Sequence, residues 1–183
     1  MTDRQPDTVP ETAGTPFASA LPAFVPPFLA RPERPLRTII GAYLLAFLGS
    51  LALAAIVSLL VPSPEGPDFA DLSGGMAIFL LVIFAPLTET LVMGAILLVL
   101  LRFLTPLQSV LFSAFGWGIA HSLSAATWGL VIWWPFLIFS TLFVVWRQRS
   151  IAWAFLMPAI VHAMQNLLPA LSVAFPGLLP DGL

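Results

Sequence analysis

The chain has 183 residues, of which 59% are hydrophobic and 9% charged, with a mean hydropathy of +0.99. A soluble globular domain carries about 25% charged residues, so this composition excludes one and leaves an integral membrane protein of one domain. The formal net charge of -2 argues against a nucleic-acid partner, and the absence of cysteine excludes disulfides, thiolate nucleophiles and cysteine metal sites.

Residues 1–36 hold eight of the 18 prolines and no sustained helical period, so they read as a disordered or interface-lying tail. Mixed charges, and Pro26 and Pro27 inside the only apolar stretch, argue against a signal peptide. Within this tail, residues 24–29 either rest on the membrane surface or are disordered. A transmembrane domain then covers residues 37–176, and residues 177–183 form a short C-terminal tail.

The expected fold class is all-α and polytopic, with about five transmembrane helices. The first span, residues 38–61, has no charge and exceeds the ~20 apolar residues needed to cross a bilayer. Pro62, Pro64, Gly66 and Pro67 stop it, and Glu65, Asp68 and Asp71 make the next loop acidic. The second span, residues 76–101, ends at Arg102, and Thr105-Pro106 marks a tight turn. The third, residues 107–123, ends near His121, with a polar connection through Ser122, Ser124 and Thr127.

The fourth span, residues 128–146, is bounded by Arg147 and Arg149. Trp128 and Trp146 stand at its two ends, where indoles are expected at the headgroups. The fifth covers residues 151–175. With the N-terminus in the cytoplasm, all seven basic residues, every one an arginine, fall on the cytoplasmic side, and the acidic loop lies outside. The absence of lysine, together with the Ala, Leu and Pro content, suggests a GC-rich bacterial genome and hence a multi-pass protein of the bacterial inner membrane.

Glu89 lies in the second span, in the stretch APLTETLVMG, and every other carboxylate lies outside the apolar runs. A charged side chain at a bilayer centre costs ~2.5–3.5 kcal/mol on insertion scales, so Glu89 needs polar company or a water-filled cavity. The only two histidines, His121 and His162, also lie in spans. Asn166 follows His162 by four residues, which places both on one helical face. Ser113, Trp117 and His121 repeat that spacing on the third span, with Gly116 and Ala120 beside them as small residues expected to admit a neighbouring helix. Pro86 and Pro158 each remove a backbone hydrogen bond within a turn of Glu89 and His162, which predicts bent helices around a cavity.

The ordered set Glu89-Thr90-xxx-Gly94, Trp117-xxx-His121 and His162-xxx-Asn166 resembles the three motifs of the CAAX-protease and bacteriocin-processing (CPBP) intramembrane proteases, EExxxR, FxxxH and HxxxN or HxxxD. The resemblance spans roughly residues 76–175 and includes Ala85-Pro86. It departs at Thr90, Gly94 and Trp117, which stand for the family's second glutamate, arginine and phenylalanine. A Glu and an Arg four residues apart would form an ion pair, so losing both strands no buried charge.

The resemblance implies an endopeptidase acting on a peptide or protein substrate. Glu89 would be the base that activates water, His121 would orient or stabilise that water, and His162 with Asn166 would stabilise the oxyanion. Thr90 and Trp117 would support the site, Thr90 by hydrogen bonding alone. A cofactor-free reaction is the preferred reading. Zinc held by Glu89, His121 and His162 is the competing one, since two His and one Glu leave a position for water. No HExxH pair is present, and Glu89 cannot easily be both ligand and base.

Two other functional classes stay open. One is a catalytically inactive scaffold or immunity-type membrane protein, which the lost glutamate-arginine pair supports. The other is proton or solute transport, against which five spans, no repeat and no second intramembrane carboxylate count.

Overall fold

The structure, a computed structural model, describes residues 25–177. These form seven α-helices: α1 (Pro27–Ala30), α2 (Pro35–Leu60), α3 (Gly74–Ile78), α4 (Ala85–Leu100), α5 (Pro106–Ser122), α6 (Gly129–Trp146) and α7 (Ile151–Ala174). A π-helical turn, Phe79–Phe84, joins α3 to α4. No strand occurs among the described residues. The protein is an all-α polytopic membrane protein.

Four helical segments are long and apolar enough to cross a membrane: Pro35–Leu60, Gly74–Leu100, Gly129–Trp146 and Ile151–Ala174. With 17 residues, α5 is shorter, roughly 25 Å at 1.5 Å per residue. It begins at a capping box, in which the Thr105 hydroxyl accepts from Gln108 N–H and the Gln108 side chain accepts from Thr105 N–H. Pro106, whose missing N–H costs nothing at the first helical position, fixes the start. His121 is the penultimate residue of α5, so this helix stops level with the middles of its neighbours.

The centre of the bundle is α6, which packs on α1, α2, α4, α5 and α7. Its sequence is apolar on every side, and Phe136 and residues 138–146 are buried. This placement corrects the interfacial reading of the tryptophans: Trp146 is fully buried and stacks near Trp153, while Trp128 turns inward against His121. Over residues 138–146 α6 is enclosed by protein on every side, so Trp146 packs inside the bundle.

The close approach of α5 to α6 is made at Gly118, not at Gly116 and Ala120. A Cβ on Gly129 would collide with the Gly118 carbonyl and the Ser122 hydroxyl, whereas a Cβ on Gly116 would meet nothing within 4 Å. Two residues on a helix are ~200° apart, so Gly116 faces away from α6 when Gly118 faces it. On the same contact face the Ser140 hydroxyl donates to Ser113 Oγ at 2.9 Å, a buried bond between the two helices.

Ahead of the bundle, α1 is docked against it. Phe28 covers Gly41 of α2, the Thr38 hydroxyl donates to Phe28 O at 2.9 Å, and Leu29 and Ala30 are buried. Residues 25–36 of the expected tail thus form α1, a short turn and the start of α2, while residues 1–24 lie outside the described residues, as do residues 178–183 of the C-terminal tail. On the opposite side of the bundle, the loop from Val61 to Ser73 crosses the end of α5. Glu65 Oε2 accepts from Ala126 N–H at 3.0 Å, and the Thr127 hydroxyl donates to Glu65 O at 2.8 Å.

Candidate active site

Glu89 lies in the second turn of α4, downstream of an unusual stretch of backbone. In the π-helical turn the Ala85 N–H bonds Leu80 O, one residue further back than in an α-helix. The next residue is Pro86, which has no N–H, so Leu81 O loses its donors in both registers. Asn166, from α7, supplies the missing donor: its Nδ2 lies 3.0 Å from Leu81 O. This is how the membrane-buried proline is tolerated. The helix α7 continues through Pro158 and Pro169 without interruption from Ile151 to Ala174.

Three of the four expected catalytic side chains meet at one oxygen. Glu89 Oε2 lies 3.9 Å from His121 Nε2 and 3.7 Å from His162 Nε2. Both separations exceed a direct hydrogen bond, yet each is short enough for a single water at ~2.8 Å to touch both atoms. The Glu89 side chain is 26% exposed, against 12% for His121 and 5% for His162, so it is the least enclosed of the three.

The two rings are held differently. His121 Nδ1 lies 2.8 Å from the Trp117 carbonyl, which can only accept, so the proton sits on Nδ1 and the neutral ring presents the Nε2 lone pair to Glu89. The ring also meets Trp128 edge-on, with centroids 4.6 Å apart. His162 has no such bond among the described residues: its Nδ1 is buried without a partner, and the ring stacks on Phe139 at 4.6 Å. A proton on Nε2 lets this ring donate toward the same space that Glu89 and His121 face.

Glu89, His121, His162 and Asn166 line one cavity of about 170 Å³, with aromatic walls from Trp128, Phe136 and Phe139. Asn166 stands beside His162 as expected, but one of its two N–H donors is committed to Leu81 O, so it holds the π-helical turn that leads into α4. Trp117 does not touch the cavity. It stacks on Phe136 at 4.5 Å and supports His121 through its carbonyl.

Thr90 is buried away from the cavity, with its hydroxyl unpartnered among the described residues. Gly94 packs directly beneath the rings of Phe155 and Phe143, which meet edge-on at 5.0 Å and fill the space an arginine would need.

Gln165, Phe69 and Trp128 also belong to the site, although the sequence assigns none of them to it and places Trp128 at the headgroups. Gln165 follows His162 by three residues and therefore shares its face, a signal present in the sequence. Its Nε2 donates to Ser50 Oγ at 3.3 Å, and the residue lines both this cavity and an adjoining apolar one of about 330 Å³ between α2, α6 and α7. Phe69, from the loop latched by Glu65, lies between the two cavities and meets Trp128 edge-on at 6.4 Å.

The distances of 3.9 and 3.7 Å are wider than the roughly 3.3 Å between neighbouring ligand atoms of a tetrahedral zinc site. Among the described residues no group of three His, Cys, Asp or Glu side chains is arranged to hold a metal ion.

Fold and composition define a polytopic α-helical membrane protein with a carboxylate and two imidazoles facing one internal cavity. No protein-family model, curated protein or solved structure matches the chain.

Proposed function

We propose that the protein is an intramembrane endopeptidase of the CPBP type that hydrolyses peptide bonds with glutamate-activated water. The observation that carries this reading is the convergence of His121 Nε2 and His162 Nε2 on Glu89 Oε2 from three different helices. A water between Glu89 and the His121 lone pair has two acceptors for its protons, which leaves its own lone pair free to attack a carbonyl. Glu89 takes the proton as the C–O bond forms, and His162 Nε2–H donates to the oxyanion of the tetrahedral intermediate. Collapse breaks the C–N bond, and Glu89 returns the proton to the leaving amine. Asn166 acts as a positioning residue through Leu81, and no step requires a metal.

The substrate on this reading is a membrane-associated peptide or protein that enters through the apolar cavity beside Gln165. The protein resides in a bacterial inner membrane with its N-terminus in the cytoplasm, the orientation that places every arginine on one side.

A second reading, a catalytically inactive CPBP-like scaffold or immunity protein, is favoured by Thr90 and Gly94. There the second carboxylate is gone and the arginine space is closed by Phe143 and Phe155.

The test compares new protein N-termini in membranes of cells expressing the wild type or Glu89→Gln, with thermal unfolding as a check that the variant folds. Loss of general-base catalysis lowers turnover by about 10²–10⁴-fold, so N-termini present with the wild type should vanish with Glu89→Gln. Identical N-terminal profiles would leave the scaffold reading in place.

A further inference from the structure

The strongest concentration of positive charge in the described residues lies where α1 turns into α2. Arg31, Arg34 and Arg37 line a single pocket of about 220 Å³, together with Phe28, Glu33 and Thr38. The three arginines recur every third residue, and all are exposed. Among the described residues no carboxylate lies within 4 Å of any of them, because the two ion contacts found both belong to Glu89. With one glutamate in the pocket, three minus one leaves a formal charge of +2.

The pocket has an apolar side as well. Phe28 covers Gly41, and the lipid-directed face of α2 continues from it through the exposed Leu36, Ile40 and Leu44. The arginines stand at the end of a 26-residue apolar helix, where a membrane-spanning segment leaves the hydrocarbon. A ligand for this place needs an anionic head that accepts several hydrogen bonds and an apolar tail that runs along α2. Guanidinium pairs with the phosphate oxygens of either kind of head, but the quaternary ammonium of a zwitterionic choline head is repelled by the pocket's positive charge, so a head with net negative charge is favoured.

We infer that the Arg31, Arg34 and Arg37 pocket binds the phosphodiester headgroup of an anionic phospholipid, with the acyl chains lying against Leu36, Ile40 and Leu44. The inference does not depend on the peptidase reading. The site ties the α1–α2 corner to the membrane surface and sets the depth of α2 in the bilayer.

The test is native mass spectrometry of the purified full chain with added dioleoyl phosphatidylglycerol or dioleoyl phosphatidylcholine, with inorganic phosphate as a third ligand. The wild type should retain phosphatidylglycerol well above phosphatidylcholine. Each basic side chain near an anionic surface strengthens association about fivefold, so Arg31→Gln/Arg34→Gln/Arg37→Gln should weaken retention on the order of 100-fold. Arg34→Gln alone should weaken it about fivefold, while Arg102→Gln, at the α4–α5 turn, should change it less than about twofold. Thermal unfolding without lipid shows that the variants are folded. Equal retention of the two lipids, or an undiminished triple variant, overturns the inference. Displacement of the lipid by millimolar inorganic phosphate also overturns it, since the pocket would then be a free-anion site.

Discussion

Asn166 of α7 donates to Leu81 O at 3.0 Å, and Leu81 O is the carbonyl that Pro86 and the π-helical turn leave without a helical donor. The asparagine and the proline are therefore coupled although they lie on different helices. Removing the donor strands a part-buried carbonyl, so Asn166→Ala should destabilise the protein by about 1 kcal/mol. Pro86→Ala restores an N–H to the turn, and the cost of Asn166→Ala should shrink in that background. Thermal unfolding of the four proteins in this cycle is the measurement, and an unchanged cost would refute the coupling.

Gly94 sits under Phe143 and Phe155 with no space for a side chain. Overpacking of this kind typically costs about 1–3 kcal/mol, so Gly94→Ala should lower stability in spite of the better helix propensity of alanine. Phe155→Leu should relieve part of that cost. The double change Thr90→Glu/Gly94→Arg, which rebuilds the motif found in the resembled family, should fail to fold here, as read by loss of the monodisperse species in detergent. A well-folded double variant would mean that the two phenyl rings move aside.

The Ser113–Ser140 bond joins α5 to α6 inside the bundle. Ser140→Ala orphans the Ser113 hydroxyl and should cost about 1–3 kcal/mol, whereas Ser113→Ala/Ser140→Ala, which removes both partners, should be nearly neutral. Unfolding midpoints that fall additively would show that the two hydroxyls act independently.

Two glycines on α5 and α6 should respond in opposite ways. Gly129→Ala forces the backbones of α5 and α6 apart at Gly118 and should be strongly destabilising. Gly116→Ala meets open space and should stabilise α5 by up to about 1 kcal/mol through helix propensity. Comparable losses for both would place the helix contact elsewhere.

The loop latched by Glu65 covers the site with Phe69. Because the chain has no cysteine, a single thiol introduced as Gln165→Cys reports on access to the cavity. Glu65→Ala removes the acceptor for Ala126 N–H, so a water-soluble maleimide should label that thiol faster than in the Gln165→Cys parent. An unchanged labelling rate would show that the loop is held by its other contacts.

Much of the architecture was legible in the chain itself. Runs of uncharged residues ended by proline, glycine and arginine mark the helices to within about three residues, because crossing a bilayer demands length and apolarity that few other segments have. The isolation of Glu89, His121 and His162 in those runs singled them out, since the cost of burying polar groups in hydrocarbon makes each an exception. Which helix stands at the centre was not legible. Lipid tails are as apolar as a leucine side chain, so the pattern of hydrophobic residues does not tell a core face from a lipid face. That ambiguity hid the burial of Trp146 and the choice of Gly118 over Gly116.

The sequence by itself determined that this is a helical membrane protein carrying one intramembrane carboxylate and two histidines on three separate helices. The tertiary structure decided that all three face one cavity. The short α5 ends level with the second turn of α4, midway along the Gly74–Leu100 span, and so brings His121 to Glu89, and packing against α7 lets Asn166 satisfy the carbonyl that Pro86 exposes. Both outcomes depend on where one helix stops against another, and helix-to-helix register in a membrane is set by side-chain packing and buried hydrogen bonds, not by the hydropathy of either helix alone.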